Sequence, residues 1–567
     1  MTTGPDDDFD SIVGSGSGSY RGPEVAATAG TVTVEVEPRH AHRSLPAQLT
    51  RIDAWWGRVL STPARVRAWV WGGPILVTLI AAVLRLWHLG HPDALVFDET
   101  YYVKDAWTLH NLGYEGTWPN NIDAKFAAGH VNLFTAAPEF VAHPPLGKWL
   151  ISLGMALFGP TNPAGWRFSV AVAGILAVLL VTLIARHLLK SNLLGVLAGF
   201  FLAIDGQAIT MSRVSLLDNF VMFFGLLGFG AILLDRYQSK RRLDRWVTRM
   251  DHAGRDLTWG PSLWCRPWLI VAGLLLGAAT GVKWNGAYFL AIFAVYTVVV
   301  DMAARRRAGV EFWGTGTIFK QGPVTFLLMV PIAAVTYVAC WTGWFVTKGG
   351  YYREWIAAGG VPWKGGLAWV PDVFQNWWHY QAGMYAFNIG LSTPHPYQAN
   401  PLLWLLVQRP TSMYYLGLAD GKGGCTAAES CGQAIAGIPN PAVWYLAVLA
   451  CLFLVYRLVR YRQWQYGLIL TGIAAGYLPW MAYLHRTVFQ FYTISFEPYL
   501  VIGLAAGLGH VLGGRGDDVS RRLAGIRIVG LVVVVSILLT IFYYPMWTAI
   551  QEPFAYINLH YWIPSWK

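Results

Sequence analysis

Residues 166–188 read WRFSVAVAGILAVLLVTLIARHL, and nothing from Phe168 to Ala185 carries a charge. A helix needs about 20 apolar residues to cross a ~30 Å hydrocarbon core. In lipid only helices or closed barrels satisfy every backbone group, and a run this long is far beyond the ~10 residues of a barrel strand. The stretch is therefore predicted to be a transmembrane helix. Working outward, comparable runs lie near 68–88, 193–210, 216–235, 268–282, 285–302, 322–346, 441–458, 464–484, 490–512 and 527–545. The expected fold is an all-α polytopic membrane protein with eleven spans.

Composition agrees with that reading. The chain of 567 residues is 55% hydrophobic and 13% charged, whereas a soluble domain carries about a quarter charged residues. Its 29 Trp and 27 Tyr suit rings that sit at bilayer interfaces. The net charge of +11 does not mark a nucleic-acid binder, because the basic residues fall between apolar runs as cytoplasmic loops require.

Eleven spans place the termini on opposite sides. Residues 146–159, LGKWLISLGMALFG, are too few to cross without strain and read as an external interfacial helix. Counted that way, the loops 189–192, 236–267, 303–321, 459–463 and 513–526 are cytoplasmic and hold the motifs KRRLDR, RRR and RR, as the positive-inside rule demands. Counting it as a span would put all five outside. The external side is then 89–165, the turns near 211–215, 283–284 and 485–489, the loop 347–440 and the tail after Tyr544. Four regions follow: a disordered or cytoplasmic N-terminal segment 1–66, with the disorder read over about the first 45 residues, a membrane catalytic region 67–346, a long external loop 347–440, and a four-helix region with external tail, 441–567. The first long apolar run begins near Trp69, too deep for a cleaved leader. Cys425 and Cys431, in a Gly-rich external loop, suit a local disulfide. The two large external loops are rich in Trp, Tyr, Pro and Gly, and are expected to pack on each other.

Function is sought on those loops. In LVFDETYYVKDAW, Asp98 and Glu99 are adjacent acids about ten residues past the first span. Neighbouring side chains point different ways, so one can serve as general base while the other orients an acceptor or a cation. A helix N-cap is the equally available alternative. In AHPPLGKWL, His143 and Lys148 flank the Pro144-Pro145 turn at a helix N-terminus suited to phosphate, or Lys148 is merely a snorkelling side chain. Arg167, Arg213, Lys283 and Arg486 sit at outer ends of spans, where cations are disfavoured without a partner. Arg213 shares SRVSLLDNF with Asp218. Together they suggest an anionic lipid phosphate beside a general base. No Walker, dinucleotide, HExxH or Cys/His metal motif is present, so the energy for transfer is expected on a lipid. A transporter should show internal repeats and mid-membrane charges; no repeat is visible, and Arg85 is the only charge read as well inside a run.

FDETYY (97–102), HPPLGK (143–148), GWRFSV (165–170), SRVSLLDNF (212–220), GVKWNG (281–286), HPYQANPLLWLLVQRP (395–410) and HRTVFQFYT (485–493) resemble, in this order, the actinobacterial protein O-mannosyltransferases. The resemblance covers about residues 65–545 and implies the class C glycosyltransferase fold. It implies transfer of mannose from polyprenyl-phosphate-mannose to Ser or Thr hydroxyls of exported proteins, with inversion, at the outer face of the cell membrane and possible association with the protein export channel. Carried over, Asp98 is the general base and Glu99 its support. Lys283, Arg486 and Arg167 hold the donor phosphate, with His143, Lys148, Arg213, Asp218 and Tyr492 in supporting positions. No cofactor is required on this reading, and a divalent metal stays compatible with it. The eukaryotic enzymes' β-rich insert in the long external loop is missing, which leaves acceptor selection and pairing with a paralogue outside the resemblance. The alternative within the same fold is transfer to a glycan or lipid.

Overall fold

The computed structural model describes residues 49–426 and 430–567. Each expected span falls on a helix. Seven are long and apolar enough to cross a membrane: Pro63–Leu86, Pro163–Leu189, Asp218–His252, Gly286–Arg307, Trp313–Cys340, Pro441–Tyr461 and Val519–Thr548. Four expected spans fall on shorter helices, Asn192–Ile204, Pro267–Val282, Trp464–Tyr477 and Glu497–Leu512.

These are short for local reasons. Asp205 is extended, and its carboxylate accepts from the amides of Gln207 and Ala208, which ends one helix and caps the next, Gly206–Met211. Gly206 cannot be replaced there, since a Cβ would clash with the Trp547 ring. Lys283 is extended and stops Pro267–Val282. A 3₁₀ turn, Gln490–Ser495, precedes Glu497–Leu512. Irregular backbone at membrane depth survives only when buried in protein or lining a cavity. Here the breaks meet: Gln207 donates to Thr493 Oγ1 at 2.6 Å and Glu497 at 3.2 Å, and Lys283 stacks on Tyr492.

The structure adds detail in two regions and corrects one expectation. Within the N-terminal segment 1–66, Arg51–Val59 is a helix; the Thr50 hydroxyl caps it, and Asp53 pairs with Arg522 at 2.8 Å. Residues 1–48 lie outside the described residues. The loop 347–440 holds a 19-residue helix, Asp372–Gly390, and strands β1 (Ser412–Leu418) and β2 (Cys431–Ala436). These form an antiparallel sheet in the order β1-β2-β3 with β3 (Glu552–Pro553), and the Cys425–Cys431 disulfide closes the hairpin. Arg85 is not the only charge inside a run, because Asp205 and Glu497 are buried too. Arg85 donates to the carbonyls of Leu202 and Ala203 at the end of Asn192–Ile204.

Segments 89–165 and 347–440 do pack on each other. Val141 clusters with Trp341, Trp344, Tyr380 and Met384, the Tyr380 hydroxyl accepts from the Val141 amide at 3.2 Å, and Asn388 donates to the Ala142 carbonyl at 3.0 Å.

Candidate functional site

The helix Glu99–Leu112 begins at Asp98, whose side chain makes no capping bond. The cap alternative is therefore not realised by Asp98. Glu99 turns inward instead and is fully buried. One of its oxygens accepts from the Val96 amide at 2.8 Å and from Arg167 Nη2 at 2.8 Å. The other accepts from Arg167 Nε and the Ser215 amide, each at 2.8 Å. The remaining Arg167 donors reach the carbonyls of Leu89, Pro92 and Ala94. All five guanidinium N–H groups are thus spoken for.

That geometry corrects the phosphate role expected for Arg167, which has no donor left to offer. Arg213 is committed likewise, to the carbonyls of Arg85, Trp87 and His88 after the first span. Lys148 neither snorkels nor waits at a helix N-terminus for phosphate. It is buried between Glu115 and Asp105, because the helix Leu146–Phe158 packs against Glu99–Leu112. Burial pushes the Asp105 carboxyl up to about 7, with Lys148 opposing the shift.

Asp98 faces elsewhere. Its carboxylate accepts one long bond, 3.4 Å, from the Tyr102 hydroxyl, and no ion pair involves it among the described residues. Burial pushes its carboxyl up to about 6, Lys283 pulls it down and Asp218 pushes it up. Lys283 Nζ lies 3.0 and 2.9 Å from the two oxygens of Asp218 and 4.1 Å from the centre of the Tyr492 ring. His143, 6.0 Å ring to ring from Tyr102, is held neutral by burial and by the charges of Lys283, Lys148 and Arg486. Arg486 donates to Asn388 at 2.8 Å and lies over Trp480, while its buried Nε has no partner.

His143, Lys283 and Arg486 line one cavity of about 630 Å³, whose other walls are mainly aromatic, with Trp284, Tyr288 and Trp377 among them. Two cations in the wall of an aromatic, largely apolar cavity make a place for a phosphate with a hydrocarbon tail. Among the described residues no group of three His, Cys, Asp or Glu converges as metal ligands, and no residue is assigned to a metal.

Residues 75–347 match the family model of dolichyl-phosphate-mannose-protein mannosyltransferases, and 373–566 match that of the C-terminal four-helix membrane region of protein O-mannosyltransferases. The chain is 34% identical over 511 residues to the polyprenol-phosphate-mannose–protein mannosyltransferase of Mycolicibacterium smegmatis, an overlap of 88% of this chain and 94% of that one. The chain belongs to the protein O-mannosyltransferases. It is 34% identical over 513 residues to the like-named enzyme of Mycobacterium tuberculosis, covering 89% of this chain and 92% of that one. For the enzyme of Corynebacterium glutamicum the identity is 30% over 512 residues, with 89% and 94% covered. The fold matches the S. cerevisiae protein O-mannosyltransferase Pmt1-Pmt2 complex bound to the sugar donor, with a TM-score of 0.65 at 12% identity over 92% of this chain and 95% of that one. This protein O-mannosyltransferase is accordingly a multi-pass glycosyltransferase of class C fold.

Of the expected site residues, the structure brings together Asp98, His143, Asp218, Lys283, Arg486 and Tyr492, and sets apart the Glu99–Arg167 pair, Arg213 on backbone carbonyls and Lys148 between Asp105 and Glu115. Sequence reasoning missed Phe97, Tyr102 and Asn388. Phe97 has a φ of 51°, a left-handed conformation costly for a bulky residue, and its ring is boxed edge-on by His395, Phe489 and Phe491 at 5.5–6.0 Å. The box holds the backbone that delivers Asp98. The available signal was the aromatic run VFQFY itself.

Proposed function

We propose that the chain transfers mannose from polyprenyl-phosphate-mannose to Ser or Thr hydroxyls of exported proteins at the outer face of the cell membrane. On this reading the N-terminus is cytoplasmic and the C-terminus external, the orientation that keeps the Lys- and Arg-rich loops inside. The observation that carries the reading is the contrast between saturated Glu99 and under-partnered Asp98, beside a cavity lined by two cations.

Asp98 takes the proton of the acceptor hydroxyl as its oxygen bonds to the anomeric carbon. The bond from that carbon to the phosphate oxygen breaks, its electron pair leaving on the polyprenyl phosphate, and configuration inverts. A carboxylate with a pKa near 6 accepts protons more readily than an ordinary Asp while still ionised at neutral pH. Lys283 and Arg486 stabilise the departing phosphate, so no general acid is needed. Asp218 and Tyr492 hold Lys283, and Asn388 and Trp480 hold Arg486. Glu99 supports Asp98 only through the backbone, by fixing the loop and the helix start to Arg167.

Membranes containing the chain, supplied with labelled polyprenyl-phosphate-mannose and a Ser/Thr/Pro-rich peptide, are expected to yield labelled peptide. Label confined to glycolipid would refute the protein acceptor.

A further inference from the structure

A second cavity, of about 310 Å³, lies at the other end of the helices that carry the site. Arg236 stands about 27 Å along its helix from Asp218, at ~1.5 Å per residue. Gly286–Arg307 starts beside Lys283 and ends at this second cavity. The cavity therefore opens at the opposite membrane face. Four cations line it, Arg236, Lys240, Arg305 and Arg307, drawn from the KRRLDR helix end and the RRR run, together with Tyr237 and Trp464.

None of the four forms an ion pair among the described residues. The acids beneath are already used: Arg266 is clamped between Asp235 and Asp301. Asp244 is the one other carboxylate in the lining. Arg305 is fixed by Thr317 at 3.2 Å and Gln321 at 3.1 Å. The Arg236 guanidinium lies 4.0 Å over the Trp464 ring, and its Nη1 and the Tyr237 hydroxyl are buried without partners. A positive-inside bias explains many basic residues in a loop. It does not explain four converging on one walled cavity, where their mutual repulsion calls for an anion.

We propose that this cavity binds the phosphate headgroup of an anionic membrane lipid. Exposed Val295 and Val299 continue along the same helix toward the bilayer centre and offer the acyl chains an apolar surface that free phosphate would not use. Basic pockets between transmembrane helices recognise such headgroups by charge and hydrogen bonding together.

The test is native mass spectrometry of the detergent-purified full chain titrated with phosphatidylglycerol or phosphatidylcholine, with inorganic phosphate as competitor. Lys240 and Arg307 are exposed, so K240Q/R307Q should fold, which its thermal midpoint checks. R249Q/R255Q removes the same charge outside the cavity. The expected result is phosphatidylglycerol preferred over phosphatidylcholine, binding weakened at least ~10-fold in K240Q/R307Q and unchanged in R249Q/R255Q, and no displacement by millimolar phosphate. Equal weakening in both pairs, no headgroup preference, or displacement by inorganic phosphate would each overturn the proposal. The readout is independent of mannosyl transfer.

Discussion

Two neighbouring acids sit in opposite kinds of surroundings. Around Glu99 every polar atom is answered: four donors converge on the carboxylate, and Arg167 spends all five of its N–H groups. Around Asp98 little is answered. A single long bond from Tyr102 touches it, Lys283 is shared with Asp218, and Arg486 keeps an unpartnered Nε. A fully satisfied buried network fixes one structure. An under-satisfied one beside a cavity leaves bonds for substrate, and catalysis comes from interactions completed only in the transition state.

The difference can be broken from either side. Asp98→Asn keeps the shape and removes the base; turnover should fall by about 10²–10⁴-fold, with thermal midpoint and donor binding retained. Loss of protein instead would make Asp98 a structural acid like its neighbour. Glu99→Ala strands a buried guanidinium and should cost about 3–5 kcal/mol of stability, visible as a lowered thermal midpoint and poor recovery from membranes. A stable but inactive Glu99→Ala would move the chemistry one residue along. Arg486→Ala removes a charge-assisted contact worth about 1.5–3 kcal/mol, so donor binding or phosphate departure should weaken by roughly 10–150-fold at that scale; unchanged donor kinetics would take Arg486 out of the phosphate site. Phe97→Gly tolerates the left-handed backbone but empties the aromatic box, and a several-fold loss in kcat with little change in KM is expected. No change would leave the box without a positioning role.

Much of this was legible in the sequence. Run length located the eleven helices, and the motifs singled out Lys283 and Arg486, which the fold brings to one cavity, and Asp98, which lies near Lys283. What was not legible is partnership. Arg167 and Glu99 are 68 residues apart, Lys283 and Asp218 are 65 apart, and cations at the ends of apolar runs look alike until the chain folds. Arg167 read as a phosphate ligand and Arg213 as its support because the positive-inside rule reports that a cation needs a partner, not which partner it finds. The helix Asp372–Gly390 was hidden because Gln375, Asn376, His379, Gln381 and Asn388 interleave with its aromatic residues, which leaves little amphipathic period. Asp205 and Glu497 escaped because single acids inside apolar runs do not interrupt them.

The most direct measurement is the pH dependence of kcat/KM for mannosyl transfer to peptide, which reports groups of the free enzyme. Asp98 must be ionised to accept a proton, and its carboxyl titrates near 6. The rate should therefore fall tenfold per pH unit below about 6. Lys283→Ala should move that limb to higher pH, since the lysine holds the carboxyl down. Asp98→Asn should abolish the limb. A limb that persists unmoved in Asp98→Asn would assign the proton acceptor to another residue and contradict the central claim.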